Sequence, residues 1–451
     1  MSLEGYAVIF FLIYIAGLAL VSWRARSADS GEGYIIGGRK VGLWPTTAAI
    51  VAVLRSGSAI PFWCILVAAC GLYALIPIAV YYLFILFMGV IAPQVRAKSV
   101  QHNLITIPDI LGVGLGRYSS LIALAAALYA ALLYSAAQIF IGGTVFAGLF
   151  NMPTYYGIIT SVAVVGAYLW LGGYMTLIKT DLIQFLVIIA LAVGAYFYTD
   201  FNTVLQTAPK PDWLLVFGMC MTAPVILAQT DIWQRLYSAE SGATARRACF
   251  LACIIDLVIV TGLVFFISGI LSGFDVDNPG AIFEGFFSGD HANPAVTALF
   301  GVFIFAMLMS SLDNQIYIFT SHITRNILNI DARTQRRRFI GWLRVLTIAM
   351  MIGLTLIALT IDDIVRFLLD NIMLVVLIGP PIAYAAISQG PDRRADLWLS
   401  ASMLLGLGVY MVLLLYGYFA NMAWYIVPFA IPALTAVTLL FILKPYHNQE
   451  V

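Results

Sequence analysis

Two groups of residues in this chain are of types that hold small ions or solutes, and both lie inside long apolar runs. The first is Leu54-Arg55-Ser56-Gly57-Ser58, followed by Pro61, in the middle of the stretch from Trp44 to Gly71. The second is Ser310, Ser311, Asp313 and Asn314, within Ala306 to Ser321. Hydroxyl and carbonyl oxygens suit hard cations, and on a helix Ser310 shares a face with Asp313 and Asn314. Three further carboxylates, Asp231, Asp256 and Asp370, also sit in apolar surroundings. Arg55 keeps its proton in any protein environment. It can therefore pair with an acid such as Asp313, clamp a solute carboxylate, or stand where a cation would otherwise bind.

These residues have to be positioned by elements that cross lipid. Of 451 residues, 62% are hydrophobic and only 10% charged, against about 25% charged in a soluble domain. The chain is therefore read as an integral membrane protein. A net charge of +1 argues against a nucleic-acid partner. Cys64, Cys70, Cys220, Cys249 and Cys253 all lie in apolar runs without metal-ligand spacing, and are read as small buried apolar residues. No basic region precedes the first apolar run, so Tyr6 to Trp23 is expected to remain as a helix rather than be cleaved.

A span needs about 20 mostly apolar residues. Thirteen candidates follow: 5–24, 44–66, 71–94, 118–149, 153–171, 175–198, 212–232, 246–272, 294–327, 339–360, 363–388, 396–418 and 423–443. The longest polar connection, Ser272 to Asn293, is acidic. Basic residues follow odd-numbered spans: Arg39 and Lys40, Arg96 and Lys98, Arg246 and Arg247, Arg336 to Arg338, Arg393 and Arg394. Basic residues favour the cytoplasmic side, so the N-terminus is expected outside and the C-terminus inside.

Two of these spans are interrupted near their middles, one between Arg55 and Pro61 and one between Thr222 and Asp231, which contains Pro224. Non-helical backbone is tolerated at that depth only against protein or a wet cavity. A corresponding pair of broken spans is the strongest sequence pointer to a transporter's binding site. Spans two to six and seven to eleven number five each, and an odd repeat inverts the second copy. The expected organisation is a leading helix and loop (1–41), a ten-helix core (42–390, as halves 42–200 and 210–390) and two trailing helices (391–451).

Four stretches resemble the sodium:solute symporter family, which includes the sodium/glucose and sodium/proline symporters. They are Gly172-Gly173-Tyr174 with Lys179-Thr180-Asp181 and Gln184; Thr106-Ile107-Pro108-Asp109; Gln234-Arg235 through Ala239; and Met309 to Gln315. The resemblance implies an all-α, leucine-transporter-type 5+5 inverted repeat. It implies a Na+ site with hydroxyls from Ser310 and Ser311, a carbonyl from Met307, and carbonyls from around Ala52 and Arg55. Asp181 matches the aspartate on the family's ion route. By position, Gln229 and Asp256 fall on solute-contacting residues. Arg55 departs from the family's usual small residue, apolar residue or aspartate at the break.

The solute candidates are Arg55, Ser58, Tyr134, Gln138, Gln229, Asp231 and Asp256, with Tyr129 and Trp233 as further cavity or gate positions. Two acids plus an arginine would suit an amino-acid-like zwitterion or an organic acid better than a sugar, and would equally suit proton coupling. The expected function is Na+-coupled symport of a small polar organic solute by alternating access, in a bacterial inner membrane. The alternatives are a proton-coupled or cation-independent carrier with Arg55 replacing Na+, or a non-transporting sensor or small accessory membrane subunit. No Ser/His/Asp set or phosphate-binding loop points to an enzyme, and Gly112 to Gly116 precedes a span rather than a strand-turn-helix unit.

Overall fold

A computed structural model describes residues 2–24, 36–55, 66–67, 70–169, 181–182, 184–186, 188–189, 193–194, 196, 211, 213–271, 294–330, 334–362, 364–416 and 426–442. Ser58, Gly57, Pro61, the Gly172-Gly173 pair, Cys64 and the acidic connection after Ser272 lie outside the described residues, as does the side chain of Asp370.

The described chain is helical throughout. Helix α1 (Leu3–Arg24) leads. Helix α2 (Leu43–Leu54) is followed by α3 (Leu75–Gln101), with a 3-10 turn at Gly71–Ala74 before it. Helices α4 (Ile107–Gly114), α5 (Arg117–Phe150) and α6 (Thr154–Leu169) follow. After further helical turns from Asp181 come α7 (Trp213–Thr222), a 3-10 segment Ala223–Ala228, and α8 (Thr230–Ser238). Helices α9 (Gly242–Leu271), α10 (Pro294–His322), α11 (Arg336–Ala358), α12 (Ile364–Val376), α13 (Gly379–Ile387), α14 (Arg393–Leu415) and α15 (Ile426–Ile442) complete it.

Six helices among the described residues are long and apolar enough to cross a membrane, and one bent pair makes a seventh. Helix α10 belongs to the most thoroughly buried of these spans, with a core of Phe303, Phe305, Leu308 and Leu312. It packs against α5 and α1, where Phe11 stacks on Phe146 and meets Phe305 edge-on. Helices α5 and α6 approach closely because Gly143 faces Gly157. A Cβ added at Gly157 would sit 2.1 Å from the Gly143 carbonyl oxygen, and small residues permit such contact where lipid supplies no hydrophobic drive.

Several helix ends are set by named residues. In α4, Thr106 and Asp109 form a capping box, with Asp109 accepting the N–H of Ile105 at 2.9 Å and of Thr106 at 3.0 Å. Asp396 accepts the N–H groups of Tyr118 and Ser119 at 3.2 and 2.8 Å, so α14 supplies the cap for α5. Asn151 ends α5 in the left-handed conformation at φ 47°, which asparagine tolerates.

Three of the basic residues that follow odd-numbered spans, Arg39, Arg96 and Lys98, fasten neighbouring segments together. Arg39 donates to Ser99, to the carbonyls of Tyr237 and Leu104, and to Asn103. Arg96 donates to the carbonyl of Ala239 at 2.5 Å. Lys98 reaches the carbonyls of Ala385, Ala386 and Ser388. The approach to α2 is also paired with the exit from α8: Val41 donates to the Ser238 carbonyl at 3.1 Å and accepts from Glu240 at 2.9 Å.

Two expected boundaries change. The seventh span, expected to end at 232, continues through α8 to Ser238, because the break at Gln229 redirects the helix instead of ending it. The eleventh, expected continuous over 363–388, is divided by a turn at Leu377 and Ile378 between α12 and α13. Pro380 and Pro381 lack the N–H groups that would continue the ladder there.

Candidate substrate and ion site

The helix that ends at the first expected interruption, α2, and the helix that leaves the second, α8, both pack against α10. Helix α2 stops at Leu54, and Arg55 takes a turn conformation (φ −100°, ψ 44°) while its N–H still bonds to the Val51 carbonyl at 3.0 Å. Ala52 and Leu54 belong to the last turn, where a helix frees its carbonyls. In the second interruption, Pro224 opens the 3-10 segment and Gln229 is extended (φ −73°, ψ 100°). The segments Val216–Ala228 and Thr230–Ser238 meet at 43°. The indole N–H of Trp233 donates to the Leu227 carbonyl at 2.8 Å, so Trp233 braces the break from within.

Arg55 meets Asp256, on α9, and not Asp313. Its Nε lies 2.6 Å from one carboxylate oxygen and its Nη2 2.7 Å from the other. The Tyr82 hydroxyl donates to the same carboxylate at 2.6 Å. All three residues are buried. The pairing follows from packing: α9 lies along both α3 and α2, placing Asp256 beside the end of α2. A pair this buried is stable only if the geometry is close and further hydrogen bonds meet the carboxylate, and Tyr82 supplies one to the oxygen that already accepts from Nη2.

A second buried cluster gathers around Asp181. Arg235 donates to Asp181 at 2.8 Å and to the side-chain oxygen of Asn314 at 2.7 Å. Ser310 donates to the other oxygen of Asp181 at 3.0 Å, and the Asn314 amide to the same oxygen at 3.4 Å. Ser311 instead turns to its own helix and donates to the carbonyls of Met307 and Leu308, both at 3.2 Å. The six ion-binding candidates thus fall into three places: Asp181 with Ser310, Ser311 with Met307, and Ala52 with Arg55 on α2. Helix α10 packs against α2 and α8, bringing these places to one region.

Nearby, Gln184 donates to the Tyr14 hydroxyl at 3.1 Å, and Tyr14 lies close enough to Asp181 and Asp313 to feel their charges. The leading helix therefore reaches the cluster around Asp181. Asp231 occupies the first turn of α8, where its Oδ2 accepts from Gln315 at 3.3 Å. On α5, the Tyr134 hydroxyl and the Gln138 side-chain oxygen are buried without a hydrogen-bond partner among the described residues. Tyr129 lies apart from them and donates to Asn371.

Tyr82 and Tyr14 were not singled out from the sequence, and Arg235, Gln184 and Gln315 entered only through their motifs. Arg235 had a usable signal, its place beside Gln234 in the motif just past the interrupted seventh span. Tyr82 and Tyr14 had none, since tyrosines are common along membrane helices.

The sodium:solute symporter family model matches residues 34–199. The osmoregulated proline transporter OpuE of Bacillus subtilis (strain 168) is 26% identical over 392 residues, covering 78% of this chain and 77% of its own length. The fold matches a Na+-coupled sialic acid symporter in its substrate-bound outward-open state, at TM-score 0.74 and 17% identity over 99% of both chains. It also matches Mhp1, a nucleobase-cation-symport-1 family transporter, in a closed conformation, at TM-score 0.60 and 12% identity over 92% of this chain and 93% of that one. By sequence the chain is thus similar to the sodium:solute symporter family over residues 34–199 and to a proline transporter over most of its length.

Proposed function

We propose that the protein is a secondary active transporter, not an enzyme, that couples Na+ to symport of a small polar organic solute by alternating access. The observation that carries this reading is the end of the apolar helix α2 at Arg55 and the bend at Gln229 into α8, on two helices that both pack against α10, the helix bearing Ser310 to Asn314. Broken segments of this kind free backbone groups for ions and solutes. The family match and the names of the related transporters support the same reading.

In this reading the thirteen spans comprise the leading helix (1–41), the inverted repeat of 42–200 and 210–390, and the trailing pair (391–451), with the N-terminus outside. The proximity of Arg39, Arg96 and Lys98, which follow the first and third spans, is consistent with that orientation, and a bacterial inner membrane is the expected location. Na+ binds among Ser310, Ser311, the Met307 carbonyl and the carbonyls of Ala52 and Arg55, and leaves past Asp181. The solute binds near Gln229, Asp231, Tyr134 and Gln138. Each ligand shifts the conformational equilibrium only through its differential affinity for the two states, so Na+ raises solute affinity and the solute raises Na+ affinity.

Arg55 in place of Na+ is less well supported, since its guanidinium is engaged by Asp256. The test is uptake into proteoliposomes under imposed Na+ or pH gradients, beginning with proline. Accumulation driven by a Na+ gradient is expected. Accumulation indifferent to Na+ and driven by a proton gradient overturns the sodium assignment.

A further inference from the structure

Asp181, Asp231 and Asp256 are buried carboxylates near the two breaks, and Arg55 and Arg235 are the buried arginines that accompany them. Asp256 is held by Arg55, and Asp181 by Arg235. Asp231 differs from both: none of the salt bridges among the described residues involves it. Its direct partners are uncharged, the N–H of Ile232 at 3.2 Å and the amide of Gln315 at 3.3 Å. Arg235 lies one helical turn along α8, with its guanidinium turned to Asp181 and Asn314. Asp231 is only 1% exposed; Arg235 is the charged group that acts on it most strongly, and a carboxylate so deeply buried stays ionised only where further charge or hydrogen bonds compensate it.

The groups around it are suited to a cation. Tyr134 and Tyr81 both lie within reach of the Asp231 charge. The Tyr134 hydroxyl and, one turn along α5, the Gln138 oxygen have no hydrogen-bond partner among the described residues. A carboxylate, further oxygen acceptors and aromatic rings together bind organic ammonium groups, through charge, hydrogen bonds and ring faces. A solute recognised by its carboxylate would instead need Arg55. It would have to displace Asp256 from a bidentate pair and leave that acid buried without its partner.

We propose that Asp231 binds a protonated or quaternary nitrogen of the transported solute, so that ammonium-bearing compounds are carried in preference to simple carboxylates and sugars. This rests on the symport reading above and narrows the solute class at the same site.

The test is ligand-induced thermal stabilisation of the purified full-length protein in Na+, with choline, proline, propionate and glucose as probes. At least one ammonium-bearing probe, choline or proline, stabilises the protein, and propionate and glucose do not. Asp231→Asn loses affinity for that probe by roughly thirtyfold or more, the scale of removing one partner from a buried charge. Asp231→Glu, which keeps the charge, retains the preference among probes in reduced form and controls for folding. Stabilisation by propionate or glucose alone, by none of the four, by Na+ alone acting through Asp231, or to the same extent in Asp231→Asn overturns the assignment. Na+-driven uptake of glucose or propionate overturns it while leaving symport intact. Ammonium binding that depends on Asp231 without any Na+-driven uptake leaves it standing and removes symport.

Discussion

Arg55 and Asp256 are separated by 201 positions and joined by two contacts, at 2.6 and 2.7 Å, between the broken end of α2 and the middle of α9. The pair neutralises an arginine that would otherwise stand uncompensated in the bundle. Removing one partner should therefore cost far more than removing both. Asp256→Asn is expected to destabilise the protein by about 3–5 kcal/mol, and Arg55→Met with Asp256→Leu should recover most of that loss. Thermal unfolding in detergent measures both; an Asp256→Asn protein as stable as the parent would show that the pair is dispensable.

Tyr82 donates to the same carboxylate. Tyr82→Phe removes one hydrogen bond to a charged group, worth roughly 1.5–3 kcal/mol, while leaving the ion pair in place. Its destabilisation should fall below that of Asp256→Asn in the same assay, and the reverse order would contradict the geometry.

Arg235 bridges Asp181 and Asn314 through one guanidinium. Both bonds leave one nitrogen, Nη2, and a lysine at this position keeps the charge but not the planar fork that fixes where that nitrogen sits. Arg235→Lys is expected to lower Na+-driven uptake by about tenfold, equivalent to about 1.4 kcal/mol, with the protein still monodisperse. Unchanged uptake would mean that the fork has no part in transport.

Ser310 and Ser311 are neighbours that face different partners. Ser310 donates to Asp181, and Ser311 to carbonyls of its own helix. Loss of a hydrogen bond to a charged group costs more than loss of a neutral one. Ser310→Ala should raise the Na+ concentration for half-maximal uptake by about tenfold, and Ser311→Ala by a smaller factor. An unchanged Na+ response in Ser311→Ala would remove Ser311 from the ion site.

Thr106 and Asp109 reciprocally cap α4. Thr106→Ala should lower thermal stability by about 1 kcal/mol without altering the choice of solute. A changed solute preference would show that this end of the bundle communicates with the binding region.

Sequence by itself determined that the chain crosses a membrane, because 62% hydrophobic composition leaves little polar surface for water. It also marked the end of α2 at Arg55 and the bend at Gln229, since Gly, Pro and charge inside an apolar run break the helical ladder wherever the helices pack. The bend at Gln229 lies inside the interval marked by Pro224 and Asp231. The grouping of Ser310 with Asn314 on one face followed from helical periodicity alone.

Which charge meets which was decided only by the tertiary structure. Asp313 was a reasonable partner for Arg55 on composition, but α9 lies against α2 and presents Asp256 and, through α3, Tyr82. Likewise Arg235 finds Asp181, 54 positions away, because α8 turns at the break. Periodicity assigns each side chain to a face of its own helix. The partner across an interface depends on how the helices pack, and packing is settled by close fit along their whole length, as where Gly143 meets Gly157.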